Sequence, residues 1–292
     1  MAAEAPITEA APAKINLYLH VCGRRDDGYH LLDSLVVFAD VGDRIAALPS
    51  DTLSLSYIGP FADDLPPAEA NLVLTAAKRL AEAFGVTRGA ALTLAKNLPV
   101  ASGIGGGSAD AAATLRALIR LWALPADDPK IMPLALSLGA DVPVCLIGRP
   151  TIMQGIGEQL QTLGSFPELP LVLVNPGVAV STPSVFKARS GPFSAAMAWP
   201  VGWPEGINML ESATRTLADA HNDLQAPAIH LSPVIGDVLQ ALQAQPGVKL
   251  ARMSGSGATC FAITDSHANA DAASQALQAA HSDWWIRHTA TF

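Results

Sequence analysis

Cysteine is scarce: Cys22, Cys145 and Cys260 are the only three in 292 residues, and no two form a C-x-x-C pair. That excludes a disulfide framework and a zinc knuckle, and a reducing cytoplasmic location is the expectation. Charge is scarce too, at 15% of residues, and its balance is acidic, with 18 Lys+Arg against 26 Asp+Glu and a net charge of −8. Such a chain has no broad electrostatic surface for nucleic acid or an anionic membrane, so neither is an expected partner, although a local basic pocket stays compatible with it. No uncharged apolar run of about 18 residues escapes Gly and Pro punctuation, which argues against a transmembrane helix. The opening MAAEAPITEA carries Glu4 and Glu9 and lacks a basic n-region and an apolar h-region, so it reads neither as a secretory signal nor as an Arg/Ser-rich transit peptide. No repeat marks a solenoid.

Apolar residues are abundant, at 50%, and mean hydropathy is +0.31. A disordered or low-complexity chain is thereby excluded, and the length suits about two average domains. Ile15, Leu17, Leu19 and Val21 alternate with polar neighbours, which predicts a strand. A polar loop over 23–28, a strand over 31–39, a turn at Gly42-Asp43, and strands over 44–48 and 53–57 follow. Helical spacing predicts a helix over 71–84, stopped by Gly85. The pattern continues with a strand over 91–95, a helix over 109–122, another over 133–138, and a short strand over 142–147. Gly148-Arg149-Pro150 is the expected hinge between domains. Beyond it, strands over 171–174, 248–253 and 260–264 alternate with helices over 207–220, 233–244 and 268–281, an α+β pattern, and 190–206 reads as an irregular loop.

Five segments carry chemistry. Residues 99–110 read PVASGIGGGSAD, with Gly103, Gly105, Gly106 and Gly107 ahead of Ser108 and an immediate helix. Backbone so rich in glycine can turn its amides toward one point, and a helix N-terminus adds partial positive charge, so a phosphate is favoured there. It is neither a Walker A loop, since no Gly-Lys-Ser/Thr follows, nor G-x-G-x-x-G, since Ser108 replaces the last glycine. A flexible linker is the plainer alternative, but a linker seldom separates an apolar strand from an apolar helix.

In PAKIN (12–16), Lys14 either snorkels at an edge or points into a polar site, and Asn16 on the same strand face favours the site. In GRRDDGYHLL (23–32), Arg24, Arg25 and His30 could bind an anion or a base edge and Tyr29 could stack, or the segment is an exposed polar turn. In LGADVP (138–143), Asp141 either caps a helix or is a charged catalytic group. Were Lys14 to reach it, the carboxylate would stay ionised and able to accept a hydroxyl proton. MSGSGAT (253–259) allows close backbone approach or is merely a tight turn.

In this order PAKIN, PVASGIGGGSAD and MSGSGAT resemble the GHMP small-molecule kinases, the superfamily of galactokinase, homoserine kinase and mevalonate kinase. GRRDDGYH, GADVP and PGVAVSTPSVFK (176–187) resemble, within it, the 4-diphosphocytidyl-2-C-methyl-D-erythritol kinases of the non-mevalonate isoprenoid route. The resemblance implies a two-domain α+β GHMP kinase fold with the site in the cleft: an N-terminal ATP-binding domain over 1–150 and a C-terminal substrate domain over 151–283, with 284–292 returning to the first. It implies transfer of the ATP γ-phosphoryl group to the 2-hydroxyl of a substrate carrying cytidine diphosphate. Asp141 would be the base and Lys14 its partner. Pro99, Val100, Ala101, Ser102, Gly103, Ile104, Gly105, Gly106, Gly107 and Ser108 would hold ATP phosphates, with Asn71 and Lys96 near the adenosine. Tyr29 and Phe186 would sandwich the cytosine, His30 would bond its edge, and Asn16 and Thr182 would complete the substrate contacts. Ser108 would stand on the Mg2+ side, with no acidic second ligand evident. The rivals are a homoserine- or mevalonate-kinase-like enzyme, whose substrate lacks cytosine, and a non-catalytic nucleotide-binding module.

Overall fold

The computed structural model describes residues 5–199 and 208–292. Glu4 of the N-terminal segment and residues 200–206 of the expected loop, with Ile207 of the expected helix, lie outside them. In chain order the elements are β1 (Ile7–Arg24), β2 (His30–Ser50), β3 (Leu53–Ile58), α1 (Leu72–Phe84), β4 (Gly89–Ala95), α2 (Gly106–Leu121), α3 (Ile131–Leu138), α4 (Val142–Ile147), β5 (Thr151–Gly155), β6 (Gln159–Thr162), β7 (Pro170–Asn175), α5 (Thr182–Ala188), α6 (Met209–Ala218), α7 (Gln225–Leu231), α8 (Val234–Gln243), β8 (Val248–Met253), β9 (Cys260–Thr264), α9 (His267–Ala280) and β10 (Trp285–Ala290). Among the described residues no helix is long and apolar enough to cross a membrane.

The chain forms two compact units. The first comprises residues through Ala13 with Gly42–Val100 and Gly105–Gly148, and the second comprises Lys14–Val41, Ala101–Ile104 and Arg149–Phe292. One boundary lies at Gly148, and the N-terminal strands β1 and β2 contribute residues to both units. The C-terminal strand β10 pairs antiparallel with β7, from Trp285 opposite Asn175 to Ala290 opposite Pro170, and just beyond it Thr291 bridges Ala39 of β2. Every residue of β7 is buried. Its two backbone edges are satisfied by β9 on one side and β10 on the other.

In the first unit, β4 pairs antiparallel with Arg44–Ser50 of β2 and parallel with β3. The helix α1 starts where the Asn71 side chain accepts from the Val73 amide at 2.9 Å and stops at Gly85, whose φ of 65° is left-handed. Its buried stripe, Val73, Leu74, Ala76, Ala77 and Leu80, meets α2. Two expectations fail here. Gly42-Asp43 is no turn, since β2 runs straight through it; a Cβ at Gly42 would collide with the Ala11 carbonyl oxygen, so the glycine serves close approach of β1. Residues 142–147 are the helix α4 rather than a strand, with Pro143 in its first turn and left-handed Gly148 (φ 61°) at its end. A short apolar run has no periodicity of its own to decide between the two.

In the second unit, β10-β7-β9-β8 forms a four-stranded sheet. Val172, Val174, Cys260 and Ala262 on that sheet pack with Ile235, Val238 and Leu242 of α8 and Leu277 of α9. Buried Arg252 on β8 donates to the carbonyls of Leu17 at 2.7 Å, Leu217 at 3.0 Å and Ala220 at 2.6 Å, tying β1 to the end of α6. Burial pushes its pKa down to about 10.

Candidate active site

Three of the motif segments meet in the second unit. The Lys14 amide donates to the Ile104 carbonyl at 2.9 Å, and the Thr259 amide donates to the Ser102 carbonyl at 3.0 Å. The Asn16 amide donates to the Ser254 hydroxyl at 3.1 Å, which itself donates to the Gly103 carbonyl at 3.2 Å. A Cβ on Gly103 would lie 2.5 Å from the Gly257 oxygen, and one on Gly255 would lie 2.6 Å from the Gly103 oxygen. Gly103 and Gly255 are therefore required by the close approach of the two segments, since only bare backbone fits. Asn222, which sequence reasoning missed, holds this junction by donating to the Met253 and Gly255 carbonyls, each at 2.8 Å.

The glycine segment alternates hand: Ala101, Gly103 and Gly105 have φ of 52°, 77° and 66°. That is the conformation in which successive amides turn to one side, and α2 begins immediately, at Gly106 rather than at the expected 109. Gly105 caps α2 with no side-chain bond. Gly107 differs from its neighbours, because an added Cβ would meet no protein atom within 4 Å. No protein contact requires a glycine there, so its bare backbone leaves open room for a phosphate at the helix N-terminus. Pro99 is buried, while Val100 and Ser108 are half-buried.

Lys14 and Asn16 are both buried, at 3% and 0% exposure, so Lys14 does not snorkel at an exposed edge. Lys14 Nζ donates to Asn16 Oδ1 at 3.0 Å, and Asn16 Nδ2 donates to the Ser34 hydroxyl at 2.8 Å. Asp141 belongs to the first unit. It occupies the N-cap position of α4, yet its side chain makes no capping bond, so the capping alternative does not account for it.

Lys96, expected near the adenosine, is buried in an ion-paired cluster. Its side chain is 3% exposed, and its ammonium is held by Asp43 at 2.5 Å and Asp110 at 2.8 Å, carboxylates that sequence reasoning did not single out. Burial works against the Lys96 charge, but Asp110 and Asp43 outweigh it and hold its pKa above the ordinary lysine value. Burial, with Asp43 adding to it and Lys96 opposing, raises Asp110. The available signal was a charge amid apolar neighbours, the same one that marked Asp141. Asn71 is accounted for as the cap of α1.

On the substrate side, the His30 ring stacks on Phe186, with centroids 4.8 Å apart and planes at 23°. Tyr29 is 61% exposed. His30 thus lies against Phe186, the ring expected to take one face of the cytosine opposite Tyr29. Partial burial, then the charges of Arg24 and Arg189, lower the His30 pKa. Exposed Thr182 shares a 2.6 Å hydrogen bond with Ser256 of the MSGSGAT segment. Among the described residues no three His, Cys, Asp or Glu side chains could hold a metal together.

Comparison with known proteins gives a consistent result. Residues 71–149 match the GHMP kinases N terminal domain and residues 208–283 the GHMP kinases C terminal domain. The chain is 55% identical over 276 residues to the 4-diphosphocytidyl-2-C-methyl-D-erythritol kinase of Paramagnetospirillum magneticum, covering 94% of this chain and 95% of that one. A crystal structure of 4-(cytidine 5'-diphospho)-2C-methyl-D-erythritol kinase superposes with a TM-score of 0.79 at 34% identity, over 98% of this chain and 99% of that one. A homoserine kinase from Cytophaga hutchinsonii superposes with a TM-score of 0.73 at 20% identity, over 100% and 96% of the two chains, which shows the common fold.

Proposed function

The chain belongs to the 4-diphosphocytidyl-2-C-methyl-D-erythritol kinases of the GHMP family, and from that membership we propose that it transfers the γ-phosphoryl group of ATP to the 2-hydroxyl of 4-diphosphocytidyl-2-C-methyl-D-erythritol, a cytoplasmic step of the non-mevalonate isoprenoid route. The observation that carries this proposal is the hydrogen bond from the Lys14 amide to the Ile104 carbonyl, which fixes the lysine beside the glycine segment. Asp141 accepts the proton of the 2-hydroxyl. The hydroxyl oxygen then bonds to the γ-phosphorus as the bond from that phosphorus to the β,γ-bridging oxygen breaks, and ADP leaves. Lys14, held by Asn16, offsets the charge that develops in transfer.

Amides from Ala101 to Ser108, after the turn made by Pro99 and Val100, hold the phosphates. The open backbone at Gly107 supports this. Mg2+ bound to ATP would neutralise phosphate oxygens. The Ser108 hydroxyl is the side chain placed to face it, and this donor set suits an ion held mainly by phosphate and water. Phe186 and Tyr29 take the faces of the cytosine and His30 its edge, with Asn16 and Thr182 completing the polar contacts. The His30–Phe186 pair supports this, because a ring already stacked on Phe186 marks a face that a base can share.

ADP release from ATP and Mg2+ is the test, with 4-diphosphocytidyl-2-C-methyl-D-erythritol, homoserine or mevalonate as acceptor. Release with the cytidyl compound alone is expected. Release with homoserine or mevalonate instead would make the chain another GHMP kinase, and no release despite ATP binding would make it a non-catalytic module.

A further inference from the structure

The Asp43–Lys96–Asp110 cluster is fully internal and is not needed for any chemical step above. Asp43 Oδ1 accepts from the amides of Asn97, at 2.6 Å, and Leu98, at 2.9 Å, the two residues where the chain leaves β4 for the glycine segment. Asp43 Oδ2 accepts from Lys96 Nζ, and the same ammonium reaches Asp110 on α2 at 2.8 Å. Lys96 also lies against the helix start, since a Cβ on Gly106 would be 3.0 Å from its Nζ. One ammonium and two carboxylates thus tie the chain before the glycine segment to the helix after it.

Such a charged knot is costly to bury and contributes little net stability over an apolar replacement, but it fixes geometry sharply through charge-assisted hydrogen bonds. A flexible glycine segment needs such fixing, because amides bind a phosphate well only when they are already aimed.

We propose that Asp43 is a positioning residue for phosphate binding: it aims the amides of Gly106 to Ser108 by holding Asn97 and Leu98 directly and α2 through Lys96 and Asp110. This rests on the reading of that helix start as the phosphate site. Lys96 accordingly acts on the phosphate end of the nucleotide from within the protein, and not by touching the adenosine.

The test uses the full chain and two probes, inorganic tripolyphosphate and adenosine, each as a competitor of ATP. Asp43→Asn keeps the shape of the side chain but sets an NH2 group against Lys96 or against the backbone amides. Tripolyphosphate affinity is expected to fall about tenfold with adenosine affinity and the KM of the cytidyl substrate unchanged. Asp110→Asn removes one buried charge, serves if Asp43→Asn does not fold, and is expected to show the same selective loss. Wild-type tripolyphosphate affinity in the folded variants overturns the proposal, as does an equal loss of adenosine, which would return the cluster to base recognition. Gly107→Ala separates the two readings, because the added methyl meets no protein atom. Unchanged tripolyphosphate binding in it would overturn the phosphate site and the proposal together, whereas a loss there without a loss in the Asp43 and Asp110 variants overturns the positioning role alone.

Discussion

Asn16 donates from Nδ2 to the Ser34 hydroxyl at 2.8 Å. That hydroxyl spends its own hydrogen on the Tyr18 carbonyl, so toward Asn16 it can only accept. The orientation of the Asn16 amide is thereby decided, and its Oδ1 is the atom turned to Lys14 Nζ. Ser34→Ala removes the acceptor and lets the amide turn its NH2 group toward the ammonium. With Lys14 misplaced, kcat is expected to fall about tenfold while the KM for ATP holds. Steady-state kinetics with ATP and the cytidyl substrate varied separately checks this, and a raised KM with normal kcat would count against it.

Asp141→Asn keeps the size of the side chain and removes its basicity. Turnover is expected to fall by about 100-fold or more, with the Kd for ATP nearly unchanged by calorimetry. A fully active variant would take Asp141 out of the mechanism.

Phe186→Ala removes the ring on which His30 stacks, and Tyr29→Ala removes an exposed ring with no stacking partner among the described residues. Each should raise the KM for the cytidyl substrate about tenfold, by the loss of one base-stacking contact, and leave that for ATP alone. An unchanged KM in both would detach these rings from cytosine recognition.

His30 has its pKa lowered by partial burial and by the charges of Arg24 and Arg189. Between its folded pKa and the unfolded value of about 6.5, the unfolded chain binds the extra proton, so stability falls as pH drops through that window. In the native protein the ring therefore holds its proton less well than an ordinary imidazole. Arg24→Met, at an exposed position, removes one of the two charges, and the His30 Cε1 proton should then titrate at higher pH in NMR. No movement would mean that burial and Arg189 set the shift without Arg24.

Arg252→Met strips three buried carbonyls of their donor at once. At about 1 kcal/mol for each lost bond, a loss of about 3 kcal/mol is expected, read as a lower midpoint in denaturant unfolding. Because Arg252 touches no proposed substrate group, KM values of the folded fraction should hold.

Much of this was legible in the sequence wherever the cause is local. The cap at Asn71, the stop at Gly85 and the left-handed glycines of the phosphate segment are demands on single residues, and the residue type answers them. The short run over 142–147 misled because burial and not periodicity makes it apolar, and Pro143 with Gly148 was the better guide. Gly42 misled because a glycine required by a neighbouring strand looks the same as one required by a turn.

The sequence by itself determined the class of chain: acidic, weakly charged and α+β, with a glycine-rich segment at a helix start and separate Lys, Asp and aromatic motifs. Tertiary structure alone decided that Asp43 and Asp110 share Lys96, that Ser34 orients Asn16, that Arg252 closes β1 onto α6, and that β10 completes the second sheet. Each of these joins residues distant in the chain, such as Lys96 and Asp43 at a separation of 53. A buried charge or hydroxyl announces that it must have a partner, but which partner it finds depends on how the strands are ordered, and no local pattern encodes that order.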